Sequence, residues 1–324
     1  MRVFIAGATG VIGTPLVPLL TAVGHEVVGL ARSHARTAEL AQAGAEVVVA
    51  DALDRDALRR AVSAAAPDAV VHLLTAIPAE LNTRRLSRDF ALTDRLRTEG
   101  TRNLLDAAER AGARRVIAQG LAYVYDPHGD GPANEDAPWW REPPAQFAAP
   151  LAALREHEAL VRRAGGLVLR FGQLYGPGTH YAPDGWFLRS IAAGRVPLVG
   201  DGGATFSFTS VHDAASAIVA ALDKDVSGAL NIVDDEPVPV REWLPAIAEL
   251  LGAPPPRRIP VALARILAGS WGVAFMTQLR GADNARARLA LDWRPRYPSW
   301  RDGFAAELQQ PAGASVRSRT ARTR

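Results

Sequence analysis

A glycine-spaced loop, GATGVIG at Gly7–Gly13, follows the opening apolar run RVFIAG and leads into a helix-forming stretch. Gly7 permits a tight turn, Gly10 lets backbone approach a pyrophosphate, and Gly13 lets the helix pack closely on the strand. Free N–H groups and the helix dipole then face an anion. The glycines are spaced three and three, not the two and three of the commonest dinucleotide fingerprint. Alone, such a loop also serves as a plain tight turn. Between a first strand and a first helix it reads as a phosphate cradle formed by Gly7, Thr9, Gly10, Val11, Ile12 and Gly13.

The rest of the chain keeps this rhythm. The runs EVVGLA, AEVVVAD, DAVVHLL, RRVIAQG and LVLRFG each suit a strand buried on both faces. Helical stretches over about 12–23, 36–43, 55–65, 88–111 and 149–164 separate them. Strands alternating with helices predict an α/β fold, a Rossmann-type doubly wound parallel sheet with right-handed crossovers. After about residue 172, Pro and Gly become frequent, strands become scarce, and helices dominate to about 308. The expected organisation is a dinucleotide-binding domain over 1–172, completed by about 206–234. A smaller, mostly helical substrate lobe is expected over 173–205 and 235–310.

Composition narrows the function. The chain has no cysteine, which excludes disulfide and thiolate chemistry. Its formal charge of +3 rests on a tail: residues 311–324 carry four arginines and no acid, so the body is near −1. That tail has a disordered composition, and a near-neutral body argues against nucleic acid. No apolar run is long enough for a membrane span, and no secretory leader is seen; the chain is read as cytoplasmic. No metal-ligand spacing and no G-x-S-x-G elbow appears.

The cofactor reading continues at the end of the second strand. An NAD site sets an acid there, whereas this chain has Arg32 and Ser33. Arg32 can pair with a 2′-phosphate through its planar fork and Ser33 can add a hydrogen bond, so NADP(H) is favoured over NAD(H). Asp51 and Ala52 follow strand three at the adenine edge; Asp51 equally suits a helix cap. Thr75 and Ala76 follow strand four along the diphosphate and ribose groove. Gly120, closing strand five, joins the cofactor set.

Taken in order, GATGVIG, VVADALD, EGTRNLLDAAERAGARRVI, LRFGQLYGPG, VPLVGDGGATFSFTSVHDAASAIVAAL and LDWRPRYPSWRDGF cover about 1–308. The chain resembles the extended, epimerase-type short-chain dehydrogenase/reductases. The resemblance implies a nicotinamide cofactor, with substrate held between the sheet's C-terminal edge and a helical lobe. It also implies a serine or threonine after strand five, with tyrosine and, four residues later, lysine on the next helix. Hydride arriving at a carbonyl leaves charge on oxygen. A phenol whose pKa of ~10 is lowered by a neighbouring ammonium can protonate that oxygen.

This chain departs from that pattern. Aligning Glu158-Ala159-Leu160-Val161 on the family's helix puts Pro150 at the tyrosine and Leu154 at the lysine, and the serine position is Leu121. Lys224 is the single lysine and lies in a polar turn. The family's asparagine three residues before the GT pair is Arg97. Tyr123 is the first candidate proton donor, and His180, between the cofactor edge and the substrate lobe, is the second. Tyr125 and Tyr175 match family positions and are read as packing or substrate contacts. Trp186 and Arg189, opening a helix of the lobe, are further substrate candidates. Trp139 and Trp140, in a Pro-rich insert over 127–147, either cap the pocket or anchor a surface loop. Glu156 and His157 read as a solvated helix face, while His25 and His72 read as structural.

The favoured function is an NADP(H)-dependent oxidoreductase acting on a small carbonyl- or hydroxyl-bearing metabolite, with a non-standard proton donor. The alternatives are a non-redox isomerase, dehydratase or cyclase on the same fold, or a catalytically silent dinucleotide-binding regulator. The helices at 88–111 and 149–164 offer the seam of a homodimer.

Overall fold

The computed structural model describes residues 1–309; the basic tail expected at 311–324 lies outside them. Seven parallel strands form the central sheet: β1 (Arg2–Ala6), β2 (Glu26–Ala31), β3 (Glu46–Val49), β4 (Ala69–His72), β5 (Arg115–Leu121), β6 (Leu167–Phe171) and β7 (Gly228–Ile232). Their order is β7-β6-β5-β4-β1-β2-β3. The sequence of strands reverses beside β1, which pairs with both β2 and β4. Connections leave in opposite directions there, so a crevice opens outside the carboxyl ends of the strands.

The continuous apolar runs become strands because both faces are covered. Residues Val3–Ala6 of β1 are fully buried. On one face, Leu16, Val17 and Leu20 of α1 (Gly13–Ala22) meet a helix at Val211–Leu222 through Ala214, Ala217 and Ile218. On the other, Leu58 and Val62 of α2 (Arg55–Ala65) meet Leu104 and Ala107 of α3 (Thr101–Arg110). Helix α2 starts where Asp54 accepts a hydrogen bond from the Ala57 amide at 3.0 Å, and ends on a left-handed Ala66.

Two expectations are revised. The helix read over 88–111 is broken into short helices at Leu86–Asp89 and Ala91–Arg95, then a π turn at Leu96–Gly100, before α3. The side chains of Thr98 and Thr101 contact the carbonyls of Asp94 and Arg97 there, offering backbone an alternative to regular helix. Strands are also more numerous after residue 172 than expected. Short pairings join Gln173–Tyr175 to Phe208–Ser210, and Leu198–Val199 to Arg258–Ile259. Two or three residues are too few to show a period of two.

The largest apolar cluster gathers Phe206, Phe208, Trp243, Trp300 and Phe304 of the C-terminal half with Phe147, Leu151 and Leu154 of α4 (Ala145–Arg163). It forms one wall of the crevice.

Candidate active site

A cleft of about 860 Å³ runs along the carboxyl ends of β1, β2, β4 and β5. Its floor begins with the glycine loop. Gly7 has φ +99°, and a Cβ there would sit 2.8 Å from the Leu73 carbonyl group. A Cβ on Gly13 would come within 2.4 Å of the Gly7 oxygen, so this glycine sets the approach of α1 to β1. A Cβ on Gly10 would meet only that oxygen, at 3.1 Å, and its outer side is open to the cleft. The first turn of α1 carries neither an acidic residue nor a side-chain cap. Its donors therefore lack a built-in anion, and the loop fits a diphosphate.

Thr9, Val11, Ile12, Arg32, Asp51, Ala52, Thr75, Ala76 and Gly120 line the same cleft. Gly13 and Ser33 do not; Gly13 is buried behind the loop, and Ser33 is an extended residue opening a short turn. Asp51 also serves as a turn former, accepting the Leu53 amide at 2.9 Å. One basic residue was missed. Arg36 donates Nη1 to the Thr9 carbonyl at 2.5 Å and Nε to Glu39 at 2.8 Å, which holds a second guanidinium against the glycine loop. The ARSHAR spacing carries that signal.

Beyond the cofactor groove the lining changes to Arg97, Leu121, Tyr123, His180, Tyr181, Trp186 and Arg189. Burial raises the Tyr123 phenol above its usual range, while the facing Arg97 guanidinium pulls it down. Arg97 lies in the π turn, 4% exposed, and its Nη1 has no hydrogen-bond partner. Its nearest acid is Asp94, 3.8 Å away, whose carboxyl burial pushes up to about 6 against the pull of Arg97. His180 donates Nε2 to the Pro78 carbonyl at 2.9 Å and stacks beside Trp186. Arg189 reaches Glu80 at 3.6 Å. Residues near 180–189 thus meet the loop after β4 across the cleft.

Other candidates lie elsewhere. Tyr125 does not line the cleft: its hydroxyl donates to Asn231 Oδ1 at 2.5 Å and accepts from Arg170 Nη1 at 2.8 Å. Desolvation pushes that phenol up to about 12. Tyr175 is 1% exposed and stacks on Phe304, so it belongs to the core. Trp140 is buried and Trp139 lies over Arg170, which makes the pair anchors of the insert. His157 is buried, not solvated. Its Nε2 donates to the Gln119 carbonyl at 3.1 Å, and Thr101 Oγ1 bridges its Nδ1 (2.7 Å) to His72 Nε2 (2.9 Å). Burial lowers His72 to about 4 and His157 well below the usual range. Pro150 and Leu154 are buried on α4 and do not line the cleft; Lys224 is exposed. Among the described residues, no group of histidine, cysteine and carboxylate side chains could hold a metal, and no helix is long and apolar enough to cross a membrane.

The model of the NAD dependent epimerase/dehydratase family matches residues 3–233. A 3-diazoavenalumate denitrifying reductase from a Streptomyces species is 50% identical over 315 residues, covering 95% of this chain and all of that one. The 2′-dehydrokanamycin reductase of Streptomyces kanamyceticus is 27% identical, over 78% of this chain and 68% of its own. Among solved structures, the Thermus thermophilus UDP-glucose 4-epimerase with NAD superposes with a TM-score of 0.71 at 24% identity, covering 95% and 98% of the two chains. A human epimerase family protein, SDR39U1, with NADPH gives 0.72 at 22% identity, covering 96% and 100%. At these identities the structural matches speak for the fold.

Proposed function

The chain belongs to the NAD dependent epimerase/dehydratase family, and on that footing we propose that it is an NADP(H)-dependent reductase whose substrate needs no tyrosine–lysine proton relay. One observation carries the reading. A phosphate cradle fitted to a dinucleotide coexists with Pro150 and Leu154, both buried in α4, the residues to which the sequence register assigns the family's relay. The amides of the Gly7–Gly13 loop hold the diphosphate, Arg32 takes the 2′-phosphate with Arg36 held against the loop, and Asp51 and Ala52 meet the adenine. Thr75, Ala76 and Gly120 flank the riboses and nicotinamide. Bound, NADPH supplies a hydride.

The 50% identical relative is a reductase named for a diazo substrate and for denitrifying it, and this, with the aromatic lining at Tyr123, Tyr181 and Trp186, supports an aryl diazo compound as the substrate class. A carbonyl that gains a hydride becomes an oxyanion and calls for a donor. An aryl diazonium is already cationic. Its reduction breaks one C–N bond, forms one C–H bond and releases dinitrogen, and charge balances without a proton from the protein. The residues then have only to bind, orient and exclude water. Trp186 and Tyr123 flank the ring, and His180 and Arg189 tie the C-terminal half to the loop after β4.

A second reading, reduction of a small carbonyl with Tyr123 as donor, is favoured by the Arg97 charge facing that phenol. Tyr123→Phe separates the two. With an aryl diazo acid and NADPH deuterated at C4, the diazo reading expects kcat within about threefold of wild type and deuterium on the ring carbon. A fall of about 10²- to 10⁴-fold would install Tyr123 as proton donor and displace the diazo reading.

A further inference from the structure

Arg97 is left over from this account. A guanidinium cannot shed its charge in a protein, and this one is 4% exposed with Nη1 unpaired. Asp94 lies 3.8 Å off, beyond hydrogen-bond reach, and its own buried Oδ1 is likewise unpaired. The two therefore do not satisfy one another. The Phe90 ring lies 5.9 Å from the guanidinium carbon, and Tyr123, just past β5, lines the same cleft. A desolvated cation with an open donor is costly unless something arrives to meet it. The π turn at Leu96–Gly100 supplies the backbone that carries it, and such turns recur at functional sites. The lining as a whole is cationic, with Arg32, Arg95, Arg97 and Arg189 against Asp51 and Asp184.

We infer that Arg97 is the anion anchor of the substrate pocket, receiving a carboxylate or phenolate oxygen of an aromatic substrate on its guanidinium, which lines the cleft. The inference deepens the reductase reading and rests on it for the identity of the pocket. Arg97 acts by binding: it fixes one end of the aromatic molecule so that the other end faces the cofactor groove. An apolar and aromatic wall beside a single buried cation selects flat, singly charged acids over neutral arenes.

The test is calorimetric titration of the full chain loaded with NADP⁺, using three probes: 4-methoxybenzoate, 4-nitrophenolate and the neutral 4-methoxybenzamide. Wild type is expected to bind at least one anion about tenfold or more tighter than the amide, and which anion wins tells carboxylate from phenolate. Arg97→Gln is expected to erase that preference while leaving amide and NADP⁺ affinities within about twofold, and Arg97→Lys to restore part of it. Wild type without an anion preference would overturn the inference. So would an Arg97→Gln variant that keeps the preference, or one that loses NADP⁺ affinity by the same factor, which would make Arg97 a cofactor contact. If aryl diazo acids are not reduced, the diazo reading fails while the anion preference stays measurable, so the two fail separately.

Discussion

Replacing Arg32 with alanine tests the interaction proposed to decide which dinucleotide the cleft takes. Arg32 lines the cleft at the end of β2 and is exposed. A hydrogen bond to a charged group contributes about 1.5–3 kcal/mol in general. Exposure and a screening length of about 8 Å at physiological salt hold this one to the lower end. About 1.5 kcal/mol corresponds to about a tenfold loss of NADPH affinity. NADH lacks the 2′-phosphate, so its affinity should stay within about twofold. Arg36 is partly spent on Thr9 and Glu39, so the double replacement should lose about thirtyfold rather than the hundredfold of two equal contacts. Fluorescence titration at about 50 and 300 mM salt reads all of this, and the wild-type preference for NADPH should shrink at the higher value. Equal weakening of both dinucleotides by Arg32→Ala, or a wild-type preference for NADH, would refute the reasoning.

Two further outcomes follow from buried charge. His72 titrates near 4 in the folded protein against 6.5 when free, with desolvation as the chief cause. The unfolded chain therefore takes up the proton first, so stability is complete above pH 6.5 and declines as pH falls. His72 alone accounts for about 2 kcal/mol by pH 5 and about 3 near pH 4, with His157 adding to it in the same direction; a urea midpoint unchanged between pH 7.5 and pH 5 would contradict this. Glu158 and Arg170 form an ion pair at 2.7 Å with side chains 4% and 3% exposed. Glu158→Gln strands the guanidinium and should cost about 3–5 kcal/mol in urea unfolding at neutral pH; a loss below about 1 would show the pair contributes little.

The sheet and its glycine loop were legible because their causes are local. Strands covered on both faces read as unbroken apolar runs, and Gly10 and Gly13 answer to backbone within the loop itself, although the clash that fixes Gly7 comes from Leu73 at the end of β4. The catalytic end was less so. Tyr125 and Tyr175 attracted attention by position, yet one is consumed by Arg170 and Asn231 and the other by Phe304, partners 45 to 129 residues away in sequence. His157 read as solvated because the partners that bury it, Thr101 and Gln119, come from other elements. Arg97 stood out only as a departure from a pattern; that it is buried and unpaired depends on a π turn that no periodicity announces.

Leu154 is fully enclosed, with Phe147 and Trp140 in the same apolar cluster, and Pro150 interrupts the donor ladder of its own helix. A single codon change cannot set both a phenol at 150 and an amine at 154. An amine at 154 would enter a greasy interior with its charge suppressed, and the ring at 150 would have to displace packed neighbours. Under the proposed register, ordinary interior repacking there acts as a ratchet, and it favours substrates that carry their own electrophilic charge.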